Sequence, residues 1–148
     1  MRLALKCFLA VTALLPALVS AQALTPVGLW KTIDDNTGNE RSYVRIVEVA
    51  GELQGKVEKI FPFPGDDPEN LCEKCKGERK NQPIVGMTIL WGLKDEGESW
   101  KGGQILDPDN GKTYRCKMTV SDDGKELDVR GYIGISLIGR SQTWLRVE

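Results

Sequence analysis

The run SWKGGQILDPDNGKTYRCKMTVSDDGKELDVRGYI, Ser99–Ile133, decides how the chain folds. It contains three β-type stretches, Ser99–Leu106, Lys112–Val120 and Glu126–Ile133. Between the first two lies Asp107-Pro108-Asp109-Asn110-Gly111, and between the last two lies Asp122-Asp123-Gly124. Asp, Asn and Gly are the residues that accept the positive φ and local side-chain bonds of hairpin turns. In the third stretch Leu127, Val129, Gly131 and Ile133 alternate with Asp128, Arg130 and Tyr132, which is the period of a half-buried strand. Short connections between such strands make antiparallel neighbours.

The same grammar extends in both directions. Gly28–Ile33, Ser42–Val49, Leu53–Phe61, Ile84–Leu93 and Arg140–Val147 read as further strands, with Asp34-Asp35-Asn36-Thr37-Gly38 and Ala50-Gly51 as turns. Helix-period apolar patterns are nearly absent. The expected fold class is therefore all-β: an eight-stranded antiparallel up-and-down barrel, which leaves no free sheet edge. A sandwich is the competing arrangement. The exception to the pattern is Pro62–Pro83, which carries Pro62, Pro64, Pro68 and Pro83, an acidic stretch Asp66-Asp67-Pro68-Glu69 and a basic one from Lys74 to Lys80. It reads as a long ordered loop with one helical turn from Glu69.

The first 21 residues differ from the rest. Arg2 and Lys6 are followed by an apolar run, Cys7–Leu15, then Pro16 and the small residues Val19-Ser20-Ala21, with Ala21-Gln22-Ala23 as an overlapping A-x-A site. That order predicts a secretory signal peptide, 1–21, cleaved after Ala21 or Ala23, ahead of a single barrel domain, 22–148. The run is too short to span a membrane, for which ~20 apolar residues are needed. The expected location is periplasmic or secreted. Of the 148 residues, 20 are basic and 21 acidic. Removing 1–21 takes two basic residues and one cysteine away, so the remainder is mildly acidic. No basic surface recommends a nucleic-acid partner. The chain has no histidine, which removes Ser-His-Asp and Cys-His nucleophiles and most catalytic zinc sites. Asp and Glu are plentiful enough for a glycosidase-like pair, but no particular pair stands out. The expectation is a non-enzymatic protein without a cofactor.

Cys72-Glu73-Lys74-Cys75 is the sharpest local motif. In an oxidising compartment the leading reading is a structural disulfide that staples the long loop. A redox pair is the second reading, although the thioredoxin form needs a helix within a β-α-β pattern that this chain lacks. Zinc with Cys116 as a third ligand is the last, and its spacing matches no common site. Three cysteines leave one over. Sequence distance favours Cys72 with Cys75 and a free, buried Cys116, and a bridge from Cys116 to the loop is the rival. Asp107–Gly111 has a partial likeness to a calcium loop, but its Gly is fifth rather than sixth and Met118 stands where the final Glu belongs. Turn is the reading.

Gly28-Leu29-Trp30 and Arg140-Ser141-Gln142-Thr143-Trp144-Leu145-Arg146 come together if the first and last strands close a barrel. Trp30 would then be covered by Arg140 or Arg146, a cation–π contact of ~0.5–2 kcal/mol, with Trp144 alongside. This pairing resembles the calycin, or lipocalin-like, signature. Together with Cys72–Gly77, Gly102–Pro108, Gly111–Tyr114, Val129–Gly134 and Leu137–Trp144, it makes the chain similar to a bacterial exported domain-of-unknown-function family, number twenty-one forty-seven. The resemblance implies a lipocalin-like barrel outside the cytoplasm and brings no catalytic residues. Ser141 stands where that family more often has Thr.

Arg130 and Tyr132 look like the carboxylate clamp of intracellular fatty-acid-binding proteins, since a guanidinium and a phenol can hold an anionic head group. Strand alternation places both on the face opposite Leu127 and Val129, hence outward. Three functions follow. The first is a carrier or sensor with a small hydrophobic or amphipathic ligand in the barrel, where Trp30, Trp91, Trp100 and Trp144 either line a pocket or fill it. The second is an envelope interaction module without a ligand. The third is a thiol–disulfide enzyme using Cys72 and Cys75.

Overall fold

The computed structural model describes residues 24–148. The expected signal peptide and its cleavage points lie outside the described residues. Eight strands follow one another: β1 (Gly28–Ile33), β2 (Glu40–Val49), β3 (Glu52–Ile60), β4 (Thr88–Asp95), β5 (Trp100–Asp107), β6 (Lys112–Val120), β7 (Glu126–Tyr132) and β8 (Gly139–Arg146). Each pairs antiparallel with the next, and β8 returns to β1, so the sheet is a closed barrel rather than a sandwich.

The turns form as their chemistry dictates. Ala50 and Gly51 both take positive φ, +52° and +79°, the geometry that matches the twist of the β2–β3 hairpin. In the β1–β2 turn Asp34 Oδ1 accepts from the N–H groups of Asn36 and Thr37 and from the Thr37 hydroxyl. In the β5–β6 turn Asp107 accepts from the Asp109 N–H, and Asn110 accepts from the Lys112 N–H.

Inward residues pack into one cluster that fills the barrel. Val44 and Ile46 of β2, Leu53 and Val57 of β3, Leu90 and Leu93 of β4, Cys116 and Met118 of β6, and Leu127 and Val129 of β7 are buried there. Trp30 and Trp144 are fully enclosed, whereas Trp91 and Trp100 are half-buried at the margin. Gly103 is required by this packing: a Cβ there would lie 2.4 Å from Leu93 Cγ and 2.5 Å from the Trp91 carbonyl oxygen. Eight strands give an interior just wide enough for side chains to fill, and these side chains fill it.

The β3–β4 connection is the long loop. It has no helical turn at Glu69; Asp67 instead accepts from the N–H groups of Glu69 and Leu71, a local bonding pattern that competes with a helix. The one 3₁₀ turn described in it is Gly77–Arg79. Cys72 and Cys75 are bonded to each other and both are buried. Cys116 is a free thiol in the core. The loop seats on the β5–β6 turn at Gly111, whose φ is +72° and where a Cβ would overlap the Lys74 carbonyl. Among the described residues no helix is long and apolar enough to cross a membrane.

Candidate functional site

One end of the barrel carries the β2–β3, β4–β5 and β6–β7 turns, and here the first and last strands close. Trp30 pairs with Arg146 across the β1–β8 ladder, and the Arg146 guanidinium carbon lies 4.2 Å from the indole centroid. Trp30 Nε1 donates to the Pro26 carbonyl at 2.7 Å. Arg146 donates to the carbonyls of Thr25, Val27 and Gly124, tying the lead-in to β1 and the β6–β7 turn to β8. Burial lowers its affinity for the proton somewhat. Trp144 Nε1 donates to Gln142 Oε1.

Arg140, the other candidate for Trp30, does not reach it. It sits at the start of β8, six residues or about 20 Å of strand from Arg146, and pairs with Asp35 at 3.2 Å. Antiparallel pairing explains this: Trp30 is early in β1 and so must face the end of β8. The position was legible in the strand order alone.

The carboxylate clamp does not form inside the barrel. Arg130 points away from the lumen and is consumed by the β7–β8 loop, donating to the carbonyls of Ser136 and Leu137 and to Ser141 Oγ. Tyr132 lies on the same outer face, packed where a Cβ on Gly139 would come within 2.7 Å of it. The lumen-facing positions of β7 are Leu127 and Val129, so a charged residue between them is turned outward by the pleat.

The cysteine motif is an oxidised pair covered by its surroundings. Cys72 is 0% and Cys75 3% exposed, so no incoming thiolate reaches either sulfur without the loop lifting. Cys116 is 0% exposed, and burial pushes its thiol pKa up to about 12. Among the described residues no three His, Cys, Asp or Glu side chains gather as a metal site.

The opposite end holds a pocket that the sequence reading did not single out. It opens between the long loop, the β5–β6 hairpin and the end of β7, with a volume of about 340 Å³, near the lower limit of small-molecule sites. Lys76 and Arg79 reach it from the loop and Lys112 from β6; Leu106, Tyr114 and Ile133 supply apolar wall. Among the described residues no carboxylate lines it. Arg79 is held over the Trp91 ring at 4.7 Å. Three cations beside apolar surface suit a ligand with an anionic head and a short hydrocarbon body. The basic run of the loop was visible in the sequence, but its convergence with Lys112 depends on how the loop seats at Gly111. A second pocket of about 290 Å³ at the closure end is bordered by Glu48 and Asp95, and its charge is opposite.

The family model described as "Uncharacterized protein conserved in bacteria (DUF2147)" matches residues 28–146. Among curated proteins no significant match is found. A solved structure similar to this chain is described as protein HP1028 from the human pathogen Helicobacter pylori, which belongs to the lipocalin family. The two share 21% identity with a TM-score of 0.70, and the alignment covers 82% of each chain. At that identity the likeness establishes a lipocalin-like fold.

Proposed function

The chain belongs to the DUF2147 family of bacterial proteins, and we propose that it is a non-enzymatic binding protein of the periplasm or extracellular space that takes a small anionic amphiphile. The lipocalin-like fold suggests ligand binding, and the basic–apolar–small order of residues 1–23 supports export. The observation that carries the reading is the pocket with Lys76, Arg79 and Lys112 on one side and Leu106, Tyr114 and Ile133 on the other. Because side chains occupy the barrel interior, the ligand sits at the mouth and not in the lumen. Burial of both Cys72 and Cys75 disfavours the thiol–disulfide enzyme.

Titration with decanoate and with its uncharged methyl ester tests this. A ligand that draws Arg79 away from Trp91 changes indole emission. Decanoate should give a saturable change, the ester should bind at least tenfold more weakly for want of the charge-assisted bonds, and Lys76→Gln with Lys112→Gln should narrow the difference, Arg79 alone remaining to hold the carboxylate. Equal binding of acid and ester, or no saturable signal from either together with no small molecule in native mass spectra of protein from its own host, overturns the reading.

A further inference from the structure

The β7–β8 loop presents apolar side chains where a water-facing turn would be polar. Ile133 is 66%, Ile135 58%, Leu137 84% and Ile138 67% exposed. Four aliphatic residues within six positions, at one end of the barrel, form a single protrusion rather than scattered surface residues. We propose that this loop docks on the surface of an anionic phospholipid bilayer, with Leu137 and Ile138 entering the headgroup–acyl boundary.

The backbone of the loop is prepared for such a place. The carbonyls of Gly134, Ile135, Ser136, Leu137 and Ile138 all accept hydrogen bonds already. Arg115 donates to Gly134, the Ile138 N–H to Ile135, Arg130 to Ser136 and Leu137, and the Ile133 N–H to Ile138. Phosphates and acyl esters accept hydrogen bonds and do not donate them, and donors thin out toward the acyl boundary, so a carbonyl seated there is best served by a donor from the protein itself. The N–H groups of Gly134, Ile135, Ser136 and Leu137 have no acceptor among the described residues, and these are the groups that lipid oxygens can satisfy.

The charges match as well. Arg115 and Arg130 have no carboxylate partner among the described residues, unlike Arg41, Arg45 and Arg140, which all do. From Val129 to Val147 the sequence has three arginines and no acid. Of these, Arg140 is neutralised by Asp35 and Arg146 lies at the closure end; Arg130 and, from β6, Arg115 are the two guanidiniums bonded to the loop behind its apolar tip. Each is worth about a fivefold gain in partitioning to an anionic surface. A protein partner would supply both donors and acceptors and would not require every carbonyl to be capped. Ile133 also borders the pocket, but Ile135, Leu137 and Ile138 do not, so the docking tip is separate from the pocket ligand's contacts.

Vesicles of phosphatidylglycerol and phosphatidylcholine, and of phosphatidylcholine alone, serve as probes for the full chain. The N-terminal apolar stretch is common to all variants, so the loop is read by hydrogen exchange of its own peptides. Residues 133–138 should gain protection on the anionic vesicles and lose it as salt rises. A Leu137→Ser, Ile138→Ser variant should weaken the loop-dependent partitioning at least tenfold, with thermal unfolding unchanged because both side chains are exposed. Bound chain without protection at 133–138, equal protection of these residues in the variant, or capture of a protein at a photo-reactive residue 137 with no vesicle binding overturns the proposal.

Discussion

Arg146→Met isolates what closes the barrel. Methionine keeps the unbranched apolar stem against Trp30 and removes the guanidinium. Three hydrogen bonds are lost, to the carbonyls of Thr25, Val27 and Gly124, along with the contact at 4.2 Å from the indole centroid. Hydrogen bonds to charged groups contribute ~1.5–3 kcal/mol each when buried. This guanidinium is only partly buried, so water can take over some of the carbonyls. A value near 1 kcal/mol per bond is then appropriate, with about 1 kcal/mol for the cation–π contact. Non-additivity within one network trims the total, and the expected loss is about 2–4 kcal/mol. Urea unfolding followed by far-ultraviolet circular dichroism should show a lower midpoint at an unchanged slope. Trp30→Leu in both backgrounds completes a double-mutant cycle, and the coupling between the two positions should be about 1 kcal/mol. A loss below about 0.5 kcal/mol for Arg146→Met, or strict additivity in the cycle, would refute the assignment of closure to this pair.

Three further outcomes follow from buried or crowded groups. Cys116, with its thiol pKa pushed up to about 12 by burial, should resist iodoacetamide at pH 8 in the native protein and react fully in denaturant, as intact mass would report. Gly111→Ala places a methyl group on the Lys74 carbonyl at a position of positive φ; it should destabilise by roughly 2–4 kcal/mol and raise hydrogen exchange across residues 72–83, and an unchanged exchange pattern would contradict the seating of the loop. Burial raises the Asp107 carboxyl above its ordinary value, so the fold favours the protonated form more than the unfolded chain does: the stability it contributes is full below the unfolded pKa and declines as pH rises through the higher folded value. Asp107→Asn should therefore flatten the decline in urea midpoint over that interval, and a parallel pH profile in both proteins would count against it.

The strands were readable because each is bounded by its own turn chemistry. β1 and β6 match their expected limits, and β7 ends one residue early at Tyr132 because the chain then bends into the β7–β8 loop. The Cys72–Cys75 pairing was readable from an odd cysteine count and short separation. What the sequence leaves open is set by contacts between distant segments. Alternation marks Leu93 and Gly103 as inward, but whether they leave a cavity depends on Leu93 filling the space that Gly103 vacates. Alternation also turns Arg130 outward but does not show that the loop carbonyls of Ser136 and Leu137 will occupy it. The helical turn expected at Glu69 lost to the Asp67 side chain, and the mouth pocket needed the loop seated before its three cations could converge.

The meander order has a consequence for the rate of folding. Every hydrogen-bonded strand pair except β1–β8 joins neighbours in sequence. Hairpins can therefore zip up one after another with modest loop-closure entropy, the 61–87 connection being the longest to close. The remaining pair unites positions more than a hundred residues apart, through the register Trp30↔Arg146 and Lys31↔Leu145. Nearly all the topological delay thus falls on one late event, and distant pairings of this kind are what slow β-proteins. In a stopped-flow refolding experiment the sheet signal should rise first. The indole of Trp30, which loses its last water only when the seam shuts, should follow in a slower phase.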